Sequence, residues 1–98
     1  MATQEQKDEL INALHTLKNE CDNKISSPIG NILVYISLKL SVFIGRIDKI
    51  DCSILSYAVI SDLVYWADSA IDALQSASLS DDIPALNIII GKLYYQFP

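Results

Sequence analysis

The sequence predicts an all-α protein, namely a four-helix antiparallel bundle with two long central helices. Apolar residues make up 51% of the chain, and most of them recur at the three- and four-residue spacing of a helix. Only three glycines and three prolines interrupt the chain, and neither Asn-Gly nor Asp-Gly occurs, so few tight turns are expected. Because 98 residues fit one domain, residues 1–98 are expected to form a single helical-bundle domain.

The first helix is predicted over residues 4–25. Thr3 and Gln6 have the spacing of a capping box, in which each side chain bonds to the backbone N–H of the other residue. The apolar stripe of this helix has the 4-3-4 spacing of one face and consists of Leu10, Leu14, Leu17 and Cys21, and Ile25 extends it. Its other positions are mostly polar, so the helix is expected to be amphipathic with one face in solvent.

The second helix is predicted over residues 28–50, with Ser27 as its N-cap and Pro28 at its first position. Apolar residues lie on most of its sides, which indicates a central helix. Residues 32–44 also alternate in the manner of a β-strand and contain residues that favour strands. No second segment alternates as well and could pair with it, so a helix is the preferred interpretation.

Small residues recur every four positions along the second helix, at Ser37, Ser41 and Gly45. They permit the close approach of another helix, so they are expected to mark either the bundle core or the seam of a dimer. Ile, Leu and Val supply 31 of the 98 residues, which is more aliphatic surface than one small domain easily buries. The excess indicates a homodimer, which is the expected state, or else a hydrophobic partner or apolar residues scattered over the surface.

The third helix is predicted over residues 52–78, with Asp51 or Ser53 as its cap. The last helix is predicted over residues 83–96, with Pro84 in its first turn. The two long central helices of the expected bundle are the second and third, packed as a hairpin.

Acidic residues of the third helix and the following joint are the best functional clue. The candidate partner-binding residues are Asp62, Tyr65, Asp68, Asp72, Asp81 and Asp82. Asp68 and Asp72 are one turn apart, where like charges mildly destabilise a helix. Twelve acidic against seven basic residues give a net charge of −5. These residues either attract a basic partner, whose association they would speed, or form a plain solvated face that favours solubility.

The expected function is that of a small, acidic, non-enzymatic protein-interaction module that binds a basic protein through this acidic helix face. Small acidic helical bundles include toxin-immunity proteins, inhibitors and secretion chaperones, an analogy of size and charge alone. The alternative is a helical carrier or sensor of a small hydrophobic ligand. That ligand would lie between the second and third helices, with Tyr35, Tyr57 or Trp66 as polar contacts.

Catalytic, metal and cofactor chemistry have little support in the sequence. His15 is the only histidine, and no nucleophile–base pair follows from its spacing. Cys21 and Cys52 are too far apart in sequence to form a recognisable zinc motif. No nucleotide-binding motif occurs, and the scattered basic residues form no stripe for nucleic acid. We therefore expect no enzymatic activity, no metal, no cofactor and no nucleic-acid partner.

The expected location is the cytoplasm, with both thiols reduced. Charged residues run through the first 28 positions, where a signal peptide would need an apolar core. Residues 29–45 are mostly apolar, but Lys39 lies near their centre, where a charge makes insertion into a membrane costly. Membrane insertion is therefore not expected.

Overall fold

A computed structural model of the chain describes residues 1–76, 79 and 83–98. In these residues it contains four helices, α1 (Gln4–Asn23), α2 (Gly30–Lys49), α3 (Tyr57–Gln75) and α4 (Pro84–Gln96), and a short 3-10 helix (Cys52–Ile54). The predicted all-α fold is confirmed, and the helices pack as a bundle around one apolar core. Residues 32–44 lie within α2, so helix is confirmed over strand for this segment.

The start of α1 is built as predicted. Thr3 Oγ1 accepts a hydrogen bond from the Gln6 backbone N–H (3.2 Å), and Gln6 Oε1 accepts one from the Thr3 N–H (2.8 Å). The predicted stripe of this helix is fully buried in the core: Leu10, Leu14, Leu17 and Cys21. The helix ends at Asn23 rather than at the predicted residue 25, and Ile25 is exposed, so cap chemistry and periodicity define the start and the buried stripe of α1 but not its end.

The start of α2 differs from the prediction. The helix begins at Gly30, with Ile29 as its N-cap, and Ser27 does not cap it. The Gly30 N–H donates to the Ser27 carbonyl (2.9 Å) in a turn that brings the backbone close to the end of α1. Within the described part of the chain, the buried Ser27 Oγ has no hydrogen-bond partner. A backbone turn therefore replaces the expected side-chain cap.

The third helix also begins later than predicted. Asp51 caps the short 3-10 helix, because its carboxylate accepts a hydrogen bond from the Ser53 N–H (2.9 Å), and this bond lowers the pKa of Asp51. The N-cap of α3 is Ser56 rather than Asp51 or Ser53. Residues 77 and 78 of the predicted helix lie outside the described residues. Pro84 is in the first turn of α4, as predicted.

The helices do not pack around a central α2–α3 hairpin. α1 packs against both α2 and α3, α3 also packs against α4, and α4 makes a smaller contact with α2. α2 and α3 share no extensive contact, so the predicted central pair is wrong. With 20 residues, α1 is as long as α2, and its buried stripe lets it lie between α2 and α3.

Contacts at both ends of α1 show how it is aligned with its neighbours. The Ala2 N–H donates to the carbonyl of Leu55, just before α3 (2.8 Å), and near the other end Gln75 Nε2 donates to Glu20 Oε1 (3.4 Å). α1 and α3 therefore lie side by side and run in the same direction. The start of α1 also lies beside the end of α2, where Lys7 Nζ donates to the Asp48 carbonyl (2.8 Å).

Candidate functional site

The predicted acidic residues of α3 are exposed, but they do not form one uniform ridge. Asp62, Asp68 and Asp72 are all exposed, and Tyr65 is 63% exposed. The Tyr65 ring packs edge-on against Trp66, with centroids 5.2 Å apart, which fixes the tyrosine at the surface. α3 contains no lysine or arginine, so no cation of its own offsets these carboxylates.

Asp62 differs from Asp68 and Asp72 because it forms an ion pair. Lys92 Nζ of α4 lies 2.6 Å from Asp62 Oδ2, so the charge of Asp62 is largely balanced by that ion pair. Asp68 and Asp72 make no ion pair with any residue that the structure describes. Asp81 and Asp82, the other two predicted site residues, lie outside the described residues.

α1 contributes a carboxylate and one wall of a groove beside Tyr65. The groove is about 340 Å³ in volume and is lined by Gln6, Glu9, Tyr57, Ile60, Ser61, Val64 and Tyr65. Glu9 is exposed and Tyr57 is 56% exposed, so both can be reached from solvent. The sequence did not identify Glu9, and it assigned Tyr57 to a ligand site between the second and third helices, because only the packing of α1 against α3 brings both residues beside Tyr65.

Farther along the same pair of helices, Glu20 of α1 accepts the hydrogen bond from Gln75 of α3. Asp72 and Asp68 precede Gln75 by three and seven positions, so all three lie on the side of α3 that is turned toward α1. We call the resulting surface the acidic face, and it consists of Glu9, Glu20, Tyr65, Asp68 and Asp72.

The two lysines of α1 point away from the acidic face. Lys7 Nζ reaches the end of α2, and Lys18 Nζ forms an ion pair with Asp22 (2.9 Å). Asp22 in turn accepts a hydrogen bond from Ser37 of α2 (2.6 Å). Because both lysines are engaged on the α2 side of α1, neither α1 nor α3 supplies a lysine or arginine to the acidic face.

The three small residues of α2 do not share one environment. Ser37 is buried and donates its hydrogen bond to Asp22 of α1, so it belongs to the α1–α2 contact. Ser41 and Gly45 are exposed. The line of small residues therefore runs from the bundle interior to the outer surface of α2.

The cavity expected between α2 and α3 is not supported by the positions of its tyrosines. Tyr35 is 55% exposed and Tyr57 56% exposed, so neither can serve as a polar contact inside an enclosed site. Trp66 is half-buried, and its ring contacts that of the exposed Tyr65. A groove of about 560 Å³ lies instead between α3 and α4, with Val59, Leu63 and Ile88 among its lining residues.

The groups with possible acid–base or nucleophilic roles are dispersed. His15 is exposed on α1, and Cys21 is fully buried. Burial, aided by the neighbouring carboxylates of Asp22 and Glu20, raises the pKa of the Cys21 thiol to about 12, so the thiol stays protonated and is a poor nucleophile. Among the described residues, no cluster of three or more His, Cys, Asp or Glu has the geometry to hold a metal ion.

Among the described residues, α2 is long and apolar enough to cross a membrane, and 39% of its apolar window is buried in the fold. Comparison with known proteins gave no relative: the chain matches no protein-family model, no curated protein and no solved structure.

Proposed function

We propose that this protein is a non-enzymatic, cytoplasmic interaction module that binds a basic protein partner through the acidic face. The observation that carries the proposal is the uncompensated charge of Asp68 and Asp72 beside a groove bordered by Glu9 and two exposed tyrosines. A module of this kind would block or escort its partner, as inhibitors, immunity proteins and chaperones do.

The groove between α1 and α3 has the chemistry to receive a lysine or arginine side chain. Ile60 and Val64 line it and offer apolar contact to the methylene stem of such a side chain. Tyr57 and Tyr65 offer ring faces to a cation, and Glu9 offers a carboxylate. The groove therefore supports recognition of individual basic side chains, which a general negative charge alone would not provide.

Asp68 and Asp72 extend the same negative surface beyond the groove. Opposite charges across an interface speed association, and salt weakens the attraction because the Debye length is about 8 Å at physiological ionic strength. Binding of the basic partner is therefore expected to weaken as ionic strength rises.

The proposal is tested by reversing the charges of the acidic face. The partner is first captured from cell extract on the wild-type protein, identified by mass spectrometry and purified. We then expect Asp68→Lys with Asp72→Lys to weaken binding of that purified partner by about 100-fold, since two favourable charge interactions become repulsive. Calorimetric titration measures the affinity, and circular dichroism checks that helicity is unchanged.

The matched control is Asp48→Lys, because Asp48 is also exposed but lies on α2, away from the acidic face. This control is compared with the single variant Asp68→Lys, which changes the net charge equally. An equal loss of affinity in Asp48→Lys and Asp68→Lys would indicate that binding responds to the overall charge of the protein. Unchanged binding in the double variant would show that the acidic face is not the contact surface.

A carrier of a small hydrophobic ligand is the second candidate, and the groove between α3 and α4 is the observation that favours it. Its volume of about 560 Å³ falls in the range of small-molecule sites, and its apolar lining includes Val59, Leu63 and Ile88. Native mass spectrometry after gentle purification separates the two functions. A retained small molecule favours the carrier, whereas a ligand-free chain that retains a basic protein favours the interaction module.

A further inference from the structure

The outward side of α2 is unusually apolar for a solvent-exposed helix. Its exposed apolar side chains are 38% to 64% accessible and comprise Ile32, Val34, Tyr35, Leu38 and Val42. Single exposed apolar residues are common, but here all five lie within three turns of one helix. Together they leave on the order of 500 Å² of apolar surface in contact with water, near the upper end for a monomeric protein.

The centre of this surface follows a regular helical spacing. Exposed residues recur at intervals of four and three along α2, at Asn31, Tyr35, Leu38, Val42, Gly45 and Lys49. A 4-3-4-3-4 spacing places side chains on the seam along which two helices pack in a coiled coil. We call these six residues the α2 seam.

We propose that the α2 seam is the interface of a homodimer, in which α2 packs against α2 of a second copy around a two-fold axis. The area supports this occupant. Burying about 500 Å² on each copy, with the surrounding rim, removes more than about 1,000 Å² from water, which reaches the lower limit for a specific protein interface.

The shapes of the seam residues are complementary when the two α2 helices run in opposite directions. The two-fold axis then passes near the middle of the seam, so Leu38 packs against Val42 of the partner subunit, and Tyr35 against Gly45 of the partner subunit. Space for the tyrosine ring exists, because a Cβ built on Gly45 meets no atom within 4 Å. The largest seam residue is thus matched to the smallest.

Two of the three cations of α2 are held by contacts within the chain, and the third, Lys49, is the last residue of the α2 seam. Lys39 Nζ lies 5.3 Å from the Tyr35 ring centroid and 5.8 Å from that of Tyr94, and Arg46 donates a hydrogen bond to the Phe97 carbonyl (2.9 Å). A helix that binds a lipid surface uses such residues to contact the headgroups instead. The chain also carries a net charge of −5, which disfavours an anionic membrane. These features favour a second copy over a lipid bilayer.

The dimer interface and the acidic face lie on different helices. α2 and α3 share no extensive contact, and α1 lies between them. A dimer formed through the α2 seam therefore leaves Tyr65, Asp68 and Asp72 of both copies accessible. The proposed dimer is independent of the proposed partner, and either can fail without the other.

The test measures oligomeric state by analytical ultracentrifugation across a micromolar concentration series. The wild-type protein is expected to dimerise, and Leu38→Glu to weaken dimerisation by about 100-fold, because each interface would bury two unpaired charges. Gly45→Leu is a second variant: it replaces a glycine with a better helix former but fills the space required by Tyr35 of the partner subunit. It is expected to remain folded and to become monomeric.

The control is Ile54→Glu, which changes another exposed aliphatic residue (76% accessible) outside α2 and is expected to remain dimeric. A wild-type protein that stays monomeric throughout the series would overturn the proposal. So would a dimer that persists in both seam variants. The last measurement is co-sedimentation with anionic phospholipid vesicles, which tests whether the α2 seam binds a membrane. A wild-type monomer that binds them, while Leu38→Glu does not, would assign the seam to a membrane and contradict the dimer.

Discussion

Gly30 and Gly91 both lie in helices, but their surroundings give them different roles. A Cβ at Gly30 would clash with the Ile25 carbonyl oxygen, because the turn between α1 and α2 brings the two backbones together. A Cβ at Gly91 meets no atom within 4 Å. The first glycine is therefore required by packing, whereas the second only weakens α4.

Replacing each glycine with alanine is expected to have opposite effects on stability. Gly91→Ala should stabilise the protein by about 1 kcal/mol, the helix preference of alanine over glycine. Gly30→Ala should destabilise it by about 2 kcal/mol or more, because the backbone has to move to relieve the clash. Urea unfolding followed by circular dichroism measures both. Equal changes in the two variants would contradict the role assigned to the turn.

These residues also show which local features can be predicted. The Thr3–Gln6 capping box was predictable because both partners lie within one helical turn. The cost of Gly91 was predictable from helix propensity alone. The need for Gly30 was not, since the atom that requires it belongs to the end of the preceding helix.

At the scale of elements, polar contacts join α1 to α2 near both ends of α1. Lys7 Nζ donates to the Asp48 (2.8 Å) and Ile50 (2.6 Å) carbonyls and so caps the end of α2 with a side chain from α1. Toward the other end of α1, the Asp22 carboxylate accepts a hydrogen bond from Ser37 of α2 (2.6 Å). The two contacts fix how α2 is placed along α1, which the apolar stripes alone define less strictly.

The contact at Asp22 makes part of the stability depend on pH. Its hydrogen bonds from Ser37 and from Lys18 lower the pKa of the Asp22 carboxyl in the folded state. A lowered folded-state pKa adds stability that is present above the unfolded value of about 3.9 and is lost as pH falls through the folded value. The stabilisation is therefore complete at neutral pH and disappears in strong acid.

Asp22→Asn is expected to lower the free energy of unfolding at pH 7 by about 0.5–1 kcal/mol, a modest amount because the carboxylate is partly exposed. The difference from the wild-type protein should be smaller at about pH 3, below the unfolded value of about 3.9, because the stability that a lowered pKa adds declines as pH falls below that value. Urea unfolding at both pH values measures the two differences. Asp48→Asn is the control, because its exposed carboxylate has no hydrogen-bond partner among the described residues. A difference that is independent of pH would contradict this account.

The existence of each helix was predictable from periodicity, but the helix ends were less so. Asp51 and Ser53 both have the chemistry of an N-cap, and Asp51 does cap a helix, namely the short 3-10 turn before α3. Three cap-forming residues, Asp51, Ser53 and Ser56, lie within six positions there, and Ser56, which follows the buried Leu55, is the one that caps α3. Cap signals therefore indicate that a helix begins but do not by themselves select among neighbouring caps.

At the scale of the whole molecule, the order of the helices in space could not be predicted. The length and apolar character of α2 and α3 favoured a central hairpin, yet α1 lies between them. α1 has a narrow buried stripe that includes Leu10, Leu14 and Leu17, and both neighbours pack around it. The candidate site was likewise only partly predictable from the sequence. Tyr65, Asp68 and Asp72 were predictable from one helix, whereas Glu9 and Glu20 join them only through packing.

The hydrogen bond between Ala2 and Leu55 has a consequence for how the chain reaches its native state. It joins groups roughly fifty residues apart, so pairing α1 with α3 requires a long loop to close first. α1 and α2 are adjacent in sequence and can meet early, which makes their hairpin the natural nucleus. The ribosome must therefore release most of the polypeptide before α1 can find α3. Until then, the leucines that α3 later covers stay exposed to other nascent chains.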